Sequence, residues 1–256
     1  MRSAFVRRTV LGASAVSLAL LATACAGSDK ADAKADAKPS ASASAPAPAV
    51  KGKTDAELGG VIVAQADLPD HVLQAVTAEE VAAGAGSASD KAACLPLAKA
   101  QSVTAIGAAT GTARVKAVAK PKQPAEGASV EEKAKAAMDA LGSTATSVTL
   151  ESYEGKGAQE AFASLKSAGS ACAGGYTITQ AGETAKVTKV ADGTPVAGGD
   201  EALAYTIEHD ADGETLSTQV VVVRKADTLA VFSALSLTGK AEQPTALVAA
   251  QLKKLG

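Results

Sequence analysis

The two histidines, His71 and His209, are the natural starting point for hydrolytic chemistry, because a serine nucleophile needs a base beside it. The chain has no Gly-x-Ser-x-Gly segment of the kind that presents a nucleophilic serine on a sharp turn. Two histidines are also too few for a typical zinc site with three histidine nitrogens. We therefore interpret both as surface residues without a catalytic role. The alternative is a hydrolase in which a serine and one of these histidines converge in the fold.

The segment 208–213 (EHDADG) resembles the start of a calcium loop, with acidic residues at the first, third and fifth positions and Gly at the sixth. The loop fails at its twelfth position, where Gln219 replaces the bidentate glutamate that calcium requires. Its flanks also have the alternating pattern of strands. We therefore predict a hairpin turn here, with no metal and no cofactor.

The N-terminus has the pattern of an export signal. Arginines, including Arg7 and Arg8, precede an apolar run from Val10 to Leu21, which is shorter than the roughly 20 residues of a permanent membrane span. The segment Leu21–Cys25 (LATAC) resembles a bacterial lipobox, in which the cysteine is acylated and becomes the first residue of the mature chain. We predict that residues 1–24 are removed and that Cys25 carries lipid, palmitate included. Secretory and twin-arginine export both stay open.

Charge narrows the choice of partners. Without residues 1–24 the chain has 22 basic and 27 acidic residues, a net charge of about −5. Such a surface gains little from counterion release, which argues against nucleic acid and against binding to anionic lipid headgroups. Attachment to the membrane must therefore come from acyl chains on Cys25, each buried methylene contributing about 0.8 kcal/mol. This places the protein at the outer face of the cell membrane.

The two remaining cysteines, Cys94 and Cys172, would then lie in an oxidising compartment, and we predict that they form a disulfide. The bridge would close a long loop and so restrict the unfolded chain by about 4 to 5 kcal/mol. A redox-active pair is the less favoured alternative, because the spacing is not Cys-x-x-Cys.

Composition divides the chain into a tether and a folded part. Residues 25–57 are rich in Ala, Ser, Asp, Lys and Pro and have little to bury, which predicts a disordered tether. Residues 58–256 are predicted to form a single domain. The chain is 47% hydrophobic but only 2% aromatic and has no Trp, so its core should be aliphatic and modest.

Helices are predicted mainly in the first half of this domain. Thr77 with Glu80, and Ser129 with Glu132, are capping boxes that each open a helix. We predict that the second of these places apolar residues on one face (Val130, Ala134, Met138 and Leu141). Further helices are predicted over residues 90–106, interrupted at Pro96, over 158–171 and after Pro244.

Strands dominate the second half. After short strands near residues 114–119 and 147–153, the hydrophobic period is two over residues 176–237. Turns at Asp192-Gly193, Asp212-Gly213 and residues 225–227 predict hairpins. Val220–Val223 is apolar on both faces and is predicted to be a central strand. The fold class is therefore α+β, an antiparallel meander with helices packed on it.

Short motifs in this domain resemble an actinobacterial extracellular sensor-domain family, the PknH-type sensor domain. It occurs as free lipoproteins and as the outer domain of receptor-type serine/threonine kinases. The matches are the turn Asp67-Leu68-Pro69, the positions of Cys94 and Cys172, Gly199-Asp200-Glu201 before a strand, and the strand Val220–Arg224 before a tight turn. The chain departs from the family at Ala226, where glycine is usual, and lacks cysteines for a second disulfide.

The resemblance implies an α+β domain with a cleft and a non-catalytic role in binding or sensing a ligand. It transfers no binding residues, so the ligand-binding residues stay unknown. We expect a small or envelope-derived ligand. A structural lipoprotein that docks a protein partner is the alternative, and an envelope hydrolase is less favoured.

Overall fold

The structure is a computed structural model that describes residues 51–120, 124–236 and 239–256. These residues form a nine-stranded antiparallel sheet and six α-helices, which confirms the predicted fold class. The helices are α1 (Asp55–Val61), α2 (Ala78–Ala85), α3 (Leu95–Gln101), α4 (Val130–Leu141), α5 (Gly157–Ala171) and α6 (Thr245–Leu255). The strands are β1 (His71–Ala75), β2 (Ala88–Ser89), β3 (Gly111–Ala119), β4 (Ala145–Ser152), β5 (Tyr176–Gln180), β6 (Glu183–Asp192), β7 (Glu201–Ala211), β8 (Glu214–Lys225) and β9 (Thr228–Leu235).

Strand β8 lies at the centre of the sheet, whose order is β1-β3-β4-β9-β8-β7-β6-β5-β2. Its residues Val220–Val223 are all fully buried. Val220 and Val222 face one hydrophobic cluster, and Val221 and Val223 face another. Because successive side chains point to opposite faces, an apolar run of this kind needs cover on both sides. The prediction of a central strand here is confirmed.

Helices cover both faces of the sheet. Side chains of α3 and α5, such as Leu97 and Leu165, pack in the first cluster. Leu58 of α1 and Leu247 of α6 pack in the second. The meander β5 to β9 therefore forms the middle layer of a three-layer arrangement. A cleft can form wherever a helix leaves part of a face uncovered.

The fold begins before the residue that composition suggests. Helix α1 starts at Asp55 rather than near Leu58, because Thr54 and Glu57 form a capping box. Lys53, which precedes it, makes an ion pair with Asp227 over 2.5 Å. The predicted signal peptide 1–24, Cys25 and the tether up to residue 50 lie outside the described residues. No helix within the described part of the chain is long and apolar enough to cross a membrane.

Two local predictions are wrong. Pro96 does not interrupt a helix but lies in the first turn of α3, where its missing N–H costs nothing. Asp192-Gly193 is not a tight hairpin turn, because β6 ends at Asp192 and β7 begins only at Glu201. Helix α4 has the bounds that the sequence predicts, and its apolar residues Val130 and Met138 are 79% and 68% exposed.

The predicted disulfide is present. Cys94 and Cys172 are bonded, with their Cα atoms 5.8 Å apart and a sequence separation of 78. Cys94 directly precedes α3 and Cys172 directly follows α5. The bond therefore joins the two helices that cover one face of the sheet.

Candidate functional site

A cleft of about 560 Å³ lies between α5 and β7, and we call it the α5–β7 cleft. It is larger than a cleft beside Tyr176 of about 410 Å³ and a cleft at the start of α6 of about 280 Å³. Its volume is in the range of pockets that hold small molecules. Its lining includes Phe162, Lys166, Ser170, Asp192, Pro195 and Tyr205.

The floor of the α5–β7 cleft is apolar and aromatic. Phe162 of α5 and Tyr205 of β7 are 5% and 6% exposed and belong to the same cluster. Gly169 of α5 makes room for the tyrosine ring, since a Cβ there would lie 2.3 Å from the Tyr205 hydroxyl oxygen. Close approach of the helix to β7 therefore depends on this glycine.

Charged groups of both signs lie around this floor. Lys166 and Ser170 are on the exposed side of α5, and Asp192 ends β6. Burial raises the pKa of the Tyr205 hydroxyl, and the nearby Asp192 carboxylate raises it further. The phenol therefore stays neutral. Its hydroxyl donates to the Leu165 carbonyl oxygen over 3.4 Å, and the hydroxyl oxygen can still accept a hydrogen bond. An apolar floor with a few polar groups suits binding of a small molecule.

Arg224 and two carboxylates form a cluster at the edge of the α5–β7 cleft, where β7 begins. Arg224 Nε donates to Glu201 Oε2 over 2.6 Å, and Arg224 Nη1 donates to Asp200 Oδ2 over 3.0 Å. Gly199 is required beside it, because its φ is +68° and a Cβ would lie 2.4 Å from Val223 Cγ1. Two of the motifs singled out in the sequence therefore meet in one cluster that positions Glu201 at the cleft.

The sequence did not predict the residues of the cleft. Lys166, Asp192 and Tyr205 come from three elements, and nothing in their spacing links them. Gly169 was the one available signal, since it interrupts the buried face of α5 two turns after Phe162. A glycine on a buried helical face often marks a close approach by another group.

The histidines do not form a hydrolytic site. His209 Nε2 lies 3.1 Å from Thr218 Oγ1, and burial lowers the pKa of His209. His71 is the first residue of β1, an edge strand that four other strands separate from β7. Its Nδ1 is buried without a partner among the described residues. Within the described residues no hydrogen bond joins a histidine to a serine. The hydrolase alternative therefore gains no support from the geometry.

The acidic segment 208–213 forms the predicted hairpin turn between β7 and β8. Asp210 Oδ1 accepts a hydrogen bond from the Gly213 N–H over 3.0 Å, and Asp212 has a φ of +55°. Asp210 is therefore engaged in holding the turn. In the part of the chain that the structure describes, no group of three or more His, Cys, Asp or Glu side chains is arranged to hold a metal ion.

Comparison with solved structures shows a weak likeness to an extracellular domain of known structure. The chain resembles the crystal structure of the extracellular domain of PknH from Mycobacterium tuberculosis, with a TM-score of 0.46 and 11% sequence identity. The match covers 80% of this chain and 97% of that one. No model of a protein family matches the chain, and no curated protein matches it.

Proposed function

We propose that this protein is a lipid-anchored, non-catalytic domain that binds or senses a small ligand outside the cytoplasmic membrane. The α5–β7 cleft is the observation that carries the proposal. It combines an aromatic floor with charged groups of both signs, and among the described residues no hydrogen bond joins the Ser170 hydroxyl to a basic side chain. Such a lining supports binding without covalent chemistry.

The walls of the cleft are held in place before any ligand arrives. The disulfide fixes the C-terminal end of α5, and the Arg224 cluster fixes the start of β7. A preformed site loses less conformational entropy on binding than a site that must be ordered. The disulfide also fits an exported protein, because such bonds persist in oxidising compartments.

The ligand that fits this lining has an apolar body and polar groups at its edge. Phe162 and Tyr205 would contact the apolar body, while Lys166 and Asp192 would contact an anionic and a cationic group. Amphiphilic fragments of the cell envelope and small metabolites both have this chemistry. We expect the ligand to come from one of these two sources.

A thermal-shift screen of the purified mature chain against envelope lipids, glycans and small metabolites tests the proposal. A ligand present at 100 times its dissociation constant should stabilise the fold by about 2.7 kcal/mol. Ser170→Trp should remove this shift by filling the cleft from an exposed position of α5. Ser167→Trp is the matched control, because Ser167 is exposed on the same helix and does not line the cleft. A shift that survives Ser170→Trp would place the ligand elsewhere and overturn the proposal.

The alternative, a partner-docking lipoprotein, is favoured by a different feature. The exposed apolar side chains of α4, Val130 and Met138, would be covered by a bound protein. A photo-reactive residue in place of Met138 distinguishes the two functions. Specific cross-linking to one envelope protein, together with no ligand shift in the screen, would favour docking over sensing.

A further inference from the structure

A second cavity lies on the opposite face of the sheet from the α5–β7 cleft. It has a volume of about 280 Å³ and opens at the start of α6, and we call it the α6 cavity. Thr146 of β4 forms its floor. Thr146 is opposite Ala117 of β3, and Ala117 belongs to the same hydrophobic cluster as Leu247 of α6. Its lining includes His71, Thr144, Thr146, Glu242, Ala246 and Leu247.

Two polar side chains of the α6 cavity lack partners. Thr146 is only 4% exposed, and among the described residues its hydroxyl makes no hydrogen bond, although the hydroxyl oxygen itself is not fully buried. His71 Nδ1 is buried and also has no partner. A buried polar group without a hydrogen bond is costly, so native proteins usually supply a partner from the chain, from water or from a ligand. These two groups lie on β1 and β4 and border the same small space.

The first turn of α6 adds backbone donors. Pro244 precedes the helix and gives no side-chain cap, and no acidic residue lies in the first turn. The amides of Thr245 and Val248 donate to the Gln243 and Pro244 oxygens. Within the described residues, the N–H groups of Ala246 and Leu247 have no acceptor. Unpaired amides at the positive end of a helix attract anions.

One carboxylate limits how much negative charge the cavity accepts. Glu242 is exposed at the mouth, where its backbone N–H donates to Thr144 Oγ1 over 3.2 Å. Its charge opposes a highly charged anion through simple repulsion. The lining therefore suits one small oxyanion group of low charge rather than a polyphosphate.

We propose that the α6 cavity binds a small oxyanion, either a carboxylate or a phosphate group. The oxyanion accepts hydrogen bonds from the amides of Ala246 and Leu247 and from the Thr146 hydroxyl. His71 donates through Nδ1 when that nitrogen carries a proton. The site does not depend on the α5–β7 cleft and would be present whatever ligand that cleft holds.

The test is a titration of the isotope-labelled mature chain with sodium acetate and with sodium phosphate, followed by amide NMR. Sodium chloride at matched ionic strength is the control. We expect saturable shifts of the Ala246 and Leu247 amides with at least one of the two anions. Saturation by acetate alone identifies a carboxylate site, and saturation by phosphate alone identifies a phosphate site. Absence of saturable shifts with both anions would overturn the proposal.

Two variants make the test specific. Thr146→Val keeps the side-chain shape and should weaken anion binding about tenfold, since a hydrogen bond to a charged group is lost. Thr149→Val is its control, because Thr149 is equally buried on β4 but faces the other side of the sheet. Glu242→Gln, at an exposed position that should not disturb folding, should tighten binding about twofold at low salt. Equal affinities in Thr146→Val, Glu242→Gln and the unchanged chain would also overturn the proposal.

Discussion

The Tyr153 hydroxyl donates a 2.5 Å hydrogen bond to Glu151 Oε2 in the core between the sheet and α3. Both residues are almost completely buried, and the Ile106 N–H donates to the same oxygen over 3.1 Å. The other carboxyl oxygen of Glu151 is buried without a partner. Burial raises the pKa of Glu151 to about 7, although these hydrogen bonds and the charges of Arg114 and Lys99 lower it in part.

The Glu151 carboxyl group should make the free energy of unfolding decrease as the pH rises. Its pKa is higher in the folded chain than the ordinary value of 4.5, so the folded state binds more protons between pH 4.5 and about 7. Stability from this group is therefore fully present below pH 4.5 and is lost as the pH rises through about 7. At about 1.4 kcal/mol per pKa unit, the loss is about 3 kcal/mol.

Glu151→Gln should remove this pH dependence, because the amide is neutral and can still accept the hydrogen bonds from Tyr153 and Ile106. Urea unfolding of both chains between pH 4 and 8 measures the difference. We expect similar stabilities near pH 4 and a variant that is more stable by up to about 3 kcal/mol at pH 8. A difference that does not change with pH would contradict the assigned pKa.

Loss of the disulfide should lower stability by about 4 kcal/mol. Cys94 and Cys172 close a loop of 78 residues, and the chain-entropy model assigns a loop of that size slightly more than this. The measurement is unfolding of the unchanged chain and of the Cys94→Ala, Cys172→Ala double variant, each with and without a thiol reductant. The reductant should destabilise the unchanged chain and leave the double variant unaffected. An equal response of both would show that the bond is not what the reductant acts on.

Cys25→Ser should release the protein from the membrane. The lipobox-like segment before Cys25 predicts acylation, and the net negative charge of the mature chain offers no other attraction to anionic lipids. Fractionation of producing cells, followed by mass spectrometry of the mature N-terminus, measures the change. Unchanged membrane association of the variant would exclude the lipid as the anchor.

The sequence predicts the fold well where the hydrophobic period is long and regular. The strands from Tyr176 onward, the burial of Val220–Val223 and the inner face of α5 all follow from alternation or helical spacing. The disulfide follows from counting cysteines in a chain that is predicted to be exported. For the strands and for α5, a local pattern is enough to predict which residues are buried, because any apolar surface can cover them.

The candidate sites could not be predicted in the same way. Lys166, Asp192 and Tyr205 become neighbours only after α5 docks on β7. The α6 cavity likewise needs β1 and β4 to lie in one sheet, separated by β3. Amphipathic spacing predicts the extent of α4, but it does not show whether an apolar face is covered, and Val130 and Met138 are exposed.

The ion pair of Lys53 should stabilise the folded protein by binding the segment before α1 to Asp227. Burial raises the pKa of Asp227, but hydrogen bonds from Lys53 and Ser152 outweigh it and keep that pKa below its ordinary value. Lys53→Met leaves the Asp227 carboxylate without its cation and should cost about 1 to 2 kcal/mol, reduced by the partial exposure of the lysine. Lys51→Met is the control, because Lys51 is exposed and forms no ion pair with another residue that the structure describes. Equal urea midpoints of the two variants would contradict this role.

Ala226→Gly should stabilise the protein. Ala226 lies between β8 and β9 with a φ of +52°, in the left-handed region that costs a residue with a Cβ about 1 to 2 kcal/mol. Glycine removes this cost but gains entropy in the unfolded chain, so we expect a net gain of about 0.5 to 1 kcal/mol. Ala211→Gly is the matched control, because Ala211 ends β7 without a positive φ and should lose stability. Urea unfolding of both variants measures the two changes in the free energy of unfolding. A lower stability of Ala226→Gly would mean that packing of the alanine side chain contributes more than its backbone conformation costs.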